Sequence, residues 1–195
     1  MSETIKEYLA KLSSAEPTPG GGSAAAYLSG IGIALALMSG NVSIKRKSFQ
    51  QRSEEEKAKV HSIMGWLSKL QTEALRYEKQ DQEAFEHYMS VYKSEDQKLK
   101  EEAAFICYNV PYLLLELNIR AINLIIALKP YVVKTVISDY KMALEILKAN
   151  LRCCLINMDI NIDNINDPEI KKDCEDAHKL VIKMTRRATR AMEGI

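Results

Sequence analysis

The sequence predicts an all-α fold, a bundle of about six helices with long central members. Three observations carry this. Apolar residues recur at steps of three and four almost throughout the 195-residue chain. Proline and glycine become scarce after Gly40, so little interrupts that pattern. The stretch from Ser53 to about Lys93 holds a single apolar stripe long enough for a central helix. No domain break, repeat or low-complexity segment is visible, so residues 1–195 read as one domain with a sizeable core.

A first helix runs from about Ser2 to Ser14, with Ser2 as cap and Ile5, Tyr8, Leu9 and Leu12 on one face. Then comes Pro17-Thr18-Pro19-Gly20-Gly21-Gly22-Ser23. Two prolines exclude helix there, and three glycines let the backbone turn sharply and approach another group closely. Ser23 reads as the N-cap of a helix from Ala24 to Met38, rich in small residues such as Ala26, Gly30 and Ala34. Backbone N–H groups at such a turn can hold an anionic or carbonyl oxygen; the plain alternative is a tight entry into a core helix.

Pro17 through Ile44 carries no charge and is long enough to cross a bilayer. Glycines, serines and Asn41 interrupt it and nothing else in the chain matches it, so it reads as a buried helix rather than a membrane span. Lys45-Arg46-Lys47 follows. It reads either as a solvated helix end suited to the C-terminal dipole or as a dock for an anionic ligand tail.

Ser53 with Glu56 forms a capping box opening the long helix. Its stripe runs through Val60, Met64, Leu67, Leu70, Ala74, Tyr77, Ala84, Phe85, Tyr88 and Tyr92. Asp81 falls on that stripe, four residues after Tyr77 and four before Phe85. A carboxyl on a buried face must be paired, cap a neighbouring helix, or be held neutral by desolvation and serve as a general acid. The fourth helix runs from Ser94 or Glu95 to Leu128, kinked near Pro111 and ended by Pro130. The fifth begins between Tyr131 and Ser138, with Ser138-Asp139 as a candidate cap. At 100° per residue, Asp139, Asn150, Asn157 and Asn161 share one side of it, either as inter-helix hydrogen bonds or as a polar wall for a ring. Asp167-Pro168 opens the sixth.

Lys and Arg number 27 against 26 Asp and Glu, which gives no pull toward nucleic acid. The four cysteines have no metal-ligand spacing and fit a reduced, cytoplasmic setting; the three histidines read as surface residues, and no metal is expected.

Three segments make the sequence similar to a known family. Pro17 to Ala26, Asp81-Gln82-Glu83-Ala84-Phe85, and the asparagine-rich Leu155 to Asp167 with Ser138-Asp139 before it resemble the formiminotransferase-cyclodeaminase C-terminal family. That family holds formiminotetrahydrofolate cyclodeaminases and methenyltetrahydrofolate cyclohydrolases. The resemblance implies an all-helical homodimer acting on a tetrahydrofolate derivative as substrate, with no separate cofactor. It implies Asp81 as proton donor. Gly20, Gly21, Gly22 and Ser23 would hold the ring or a carbonyl. Asp139, Asn157 and Asn161 would meet the pterin, and Lys45, Arg46 and Lys47 the glutamate tail. Two places depart from the family. Tyr92 to Glu95 lacks its proline, and Val132-Val133 stands where a Gly-Asn pair is common. The second departure bears on the folate pocket and keeps a third reading open, a non-catalytic helical dimer that binds a folate-like ligand or a protein.

Overall fold

The computed structural model describes residues 4–193, and among them no strand is present. Seven α-helices occur: α1 (Ile5–Leu12), α2 (Gly21–Ile44), α3 (Lys47–Gln50), α4 (Glu54–Val91), α5 (Gln97–Leu128), α6 (Ile137–Ile162) and α7 (Pro168–Met192). Two 3₁₀ turns, Lys129–Tyr131 and Lys134–Val136, join α5 to α6. The helix beyond the six expected is the short α3, which the basic run enters at Lys47.

Helix starts follow the chemistry of their caps. Ser53 and Glu56 form the capping box of α4, and Asp167 accepts from the N–H groups of Glu169 and Ile170 ahead of Pro168. Three expected caps are replaced. Thr4, with Glu7, caps α1; Ser2 lies outside the described residues. Gly20, not Ser23, is the N-cap of α2, and it offers no side chain. Ser138-Asp139 does not cap α6, because the helix has already begun at Ile137. Pro111 lies inside α5, which continues through it.

The four long helices α2, α4, α5 and α6 form an up-down-up-down bundle, each packed on its two neighbours in the ring. Leu67, Leu70, Leu115, Ile122, Leu147 and Leu151 are fully buried at its centre. The small residues of α2 let it sit close to both flanks. A methyl at Gly30 would strike Leu75 of α4, and one at Gly32 would come within 2.8 Å of Leu147 of α6. Buried serines on α2 satisfy themselves on their own helix, Ser29 donating to Ala25 O at 3.1 Å and Ser43 to Ser39 O at 2.7 Å. Asn150 crosses from α6 and donates to Ala25 O and to Ser29 Oγ, both at 2.8 Å.

Gly21–Ile44 and Gln97–Tyr131 are both long and apolar enough to cross a membrane, so the first is not alone as the sequence implied. Both are built into the bundle ring. On α1, only Tyr8 of the four face residues is buried; Ile5 and Leu9 are exposed.

Candidate active site

The antiparallel ring fixes what meets at each end. At one end stand the start of α2, the late part of α4, the early part of α5 and the end of α6. There a cavity of about 170 Å³ is lined by Pro17, Thr18, Gly20 and Gly21 from the turn, and by Asp81, Ala84 and Phe85 from α4. Cys107 of α5 and Asn157 and Asn161 of α6 complete its wall.

Asp81 is the centre of this site. Its Oδ2 accepts the Ser23 N–H at 2.9 Å. Ser23 N–H is one of the first donors of α2 with no partner in its own helix, and Gly20 cannot supply one. Asp81 therefore caps α2 from another helix. Gly22 makes this approach possible, since any side-chain carbon at that position would overlap the Asp81 carboxyl. Burial pushes the carboxyl above its ordinary range; the Ser23 N–H opposes this, and the neighbouring Glu78 charge adds to it. Burial wins, because one backbone hydrogen bond does not replace a hydration shell. Among the described residues no cation pairs with Asp81.

The walls are ordered by their own bonds. Ser23 Oγ and Tyr8 OH share a 2.8 Å hydrogen bond, which ties α1 to the first turn of α2. Asn161 Nδ2 donates to Cys107 O at 2.7 Å. Cys107 Sγ donates to Ala84 O at 3.3 Å, and burial, with the Asp81 charge nearby, pushes its thiol up to about 11. Cys107 is thus a neutral wall group and not a nucleophile. Asn157 stands opposite Gly21 and makes no hydrogen bond to any described residue, so its amide is free to meet a ligand.

The formiminotransferase-cyclodeaminase family model matches residues 4–179. The chain belongs to this family. It is 31% identical over 177 residues to the methenyltetrahydrofolate cyclohydrolase of Methylorubrum extorquens, which covers 85% of this chain and 82% of that protein. Its fold matches that of the formiminotetrahydrofolate cyclodeaminase of Thermotoga maritima with a TM-score of 0.89 at 22% identity, over 98% of this chain and 94% of that one.

The family's motifs do not all meet in one chain. Gly20, Gly21, Asp81, Asn157 and Asn161 line the cavity; Gly22 and Ser23 stand behind it against Asp81. Lys45, Arg46 and Lys47 do not line it. They lie exposed at the other end of α2, whose 24 residues span about 36 Å. Asp139 sits in the first turn of α6, about 27 Å along that helix from Asn157. The Val132-Val133 departure is also at that far end, where Val133 N–H donates to Ser43 Oγ at 3.1 Å, so it leaves the Asp81 cavity untouched.

The helical pattern missed Cys107, Thr18 and Tyr8. Tyr8 carries no sequence signal beyond its place on an apolar face. His178 also differs from a surface histidine: it is mostly buried, with Nε2 3.1 Å from Asp159 Oδ1. Among the described residues no group of three or more His, Cys, Asp or Glu side chains is placed to hold a metal ion.

Proposed function

We propose that this chain is an enzyme of tetrahydrofolate-borne one-carbon units, a formiminotetrahydrofolate cyclodeaminase. N10 of 5-formiminotetrahydrofolate attacks the formimino carbon, ammonia leaves, and 5,10-methenyltetrahydrofolate remains. The leaving amine needs a proton. The observation that carries the reading is the Asp81 carboxyl, pushed above its ordinary range by burial and held at a glycine-lined cavity. A carboxyl that keeps its proton to higher pH than an exposed aspartate can act there as a general acid, a role worth on the order of 10²–10⁴ in rate. The Gly20–Gly21 backbone and the free amide of Asn157 would meet the ring's donors and acceptors, with Asn161 closing the far wall.

The methenyltetrahydrofolate cyclohydrolase reaction is the second reading, favoured by the 31% identity to an enzyme of that name. There, water adds to the methenyl carbon and the ring opens to 10-formyltetrahydrofolate. The methenyl absorbance separates the two, because 5-formiminotetrahydrofolate generates it and the cyclohydrolase reaction consumes it. In either reaction Asp81→Asn is predicted to keep the fold and folate binding and to lose about 10²–10⁴ in turnover. Undiminished turnover in that variant removes Asp81 from the mechanism. Turnover of neither substrate by the wild type, with folate still bound, would favour a ligand-binding dimer.

We read the working assembly as a cytoplasmic homodimer. Its support is the outward face of α2, where Ile31 is 50% exposed and the preceding Gly30 meets the 43% exposed Leu75 of α4. Such apolar exposure at mid-helix fits a second copy of the same face.

A further inference from the structure

We propose that a second cleft, lined by Tyr88, Tyr92, Gln97, Lys100, Asn164 and Asn166, takes the aromatic amide and carboxylate tail of the substrate. The inference rests on the folate reading above. It starts from size. The Asp81 cavity, at about 170 Å³, is smaller than the roughly 300–1,000 Å³ that enclose a ligand of drug size. It suits a bicyclic ring and leaves the rest of a folate outside. The second cleft adds about 290 Å³.

The two spaces adjoin along two helices and the turn that follows a third. On α4, Tyr88 follows Ala84 by one turn. On α5, Lys100 precedes Cys107 by two turns. After α6, Asn164 follows Asn161. Each element thus runs outward from the first cavity into the second. Burial disfavours ionisation of the Tyr88 hydroxyl, and Tyr92, Cys107 and Glu101 add to this. Tyr88 and Tyr92 stand 5.9 Å apart at 61°, an edge-to-face aromatic pair on the cleft wall.

The charge at the cleft also fits. Lys100 is the cation of its lining, about 10 Å along α5 from Cys107 and so near the height of Tyr92, past Tyr88 from the first cavity. Glu101, the neighbouring acid, is already engaged: its Oε2 accepts from Asn166 N at 2.8 Å and Asp167 N at 3.1 Å. By contrast, Lys45, Arg46 and Lys47 lie a bundle length away in the same chain.

Anaerobic calorimetry with tetrahydrofolate and with 6-methyltetrahydropterin, which lacks the tail, tests this. The wild type is predicted to bind tetrahydrofolate more tightly. Lys100→Ala weakens tetrahydrofolate about tenfold, Lys100→Glu weakens it further, and neither changes pterin affinity. Equal affinity of the wild type for both ligands overturns the tail site and leaves the folate reading intact. So does a loss that appears on replacing Lys45, Arg46 and Lys47 together by Ala and not on replacing Lys100. A wild type that binds neither ligand overturns the folate reading and this site with it.

Discussion

At the scale of single residues, the site depends on a contact between a carboxyl and a missing side chain. Asp81 can reach Ser23 N–H only because Gly22 has no Cβ. Gly22→Ala is therefore predicted to displace Asp81, cost about 1–3 kcal/mol of stability, and lower turnover more than substrate affinity. Denaturant unfolding and steady-state kinetics of that variant check it. Asp81 also makes a pH-dependent contribution to stability. Its carboxyl is raised in the fold, so ionising it costs the folded state more than the unfolded chain. The stabilisation is complete below the ordinary aspartate value of about 3.9 and is lost as pH rises through the raised folded value. Asp81→Asn keeps an oxygen for Ser23 N–H and sheds the desolvated charge. It should melt at or above the wild-type temperature at neutral pH, with the advantage shrinking toward pH ~4. The sequence revealed Asp81 because a carboxylate in an apolar stripe breaks a period. Cys107 was silent, since a thiol among apolar residues breaks nothing.

At the scale of elements, α2 decides how closely the bundle can draw in. Its glycines and serines were legible as a small-residue helix, but its start was not. Ser23 is a good N-cap in isolation, and the chain instead enters the helix three residues earlier, because Asp81 from α4 supplies the oxygen. A cap delivered from 58 positions away leaves no mark on local sequence. Asn150 shows the opposite case. The shared stripe placed it inside, and the structure uses it to tie α6 to Ala25 and Ser29. Asn150→Ala is predicted to cost about 1–3 kcal/mol by leaving Ser29 short of a partner, with kinetics little changed. Chemical denaturation beside an activity assay separates those effects. Gly32→Val, which would press on Leu147, should destabilise by a similar amount.

For the whole molecule, the up-down-up-down ring sorts the candidate residues by end. A helical wheel gives the angle of a residue about its axis and nothing about its height. Asp139, Asn157 and Asn161 share a side of α6, yet only the last two reach the cavity. Lys45, Arg46 and Lys47 are near the glycine turn in sequence and far from it in space, because a 24-residue helix intervenes. The exposed pair Ile31 and Leu75 lies midway between the two ends. Ile31→Asp is predicted to halve the mass seen by light scattering if α2 carries the dimer contact; an unchanged mass assigns the contact elsewhere.

The measurement closest to the core of this account is a ¹³C NMR titration of the Asp81 side-chain carboxyl, assigned by its loss in Asp81→Asn. A midpoint clearly above that of an exposed aspartate is predicted, as a proton donor in a water-poor helical seam requires. A midpoint at or below about 3.9 would show a group already ionised at neutral pH and would contradict its role as the acid.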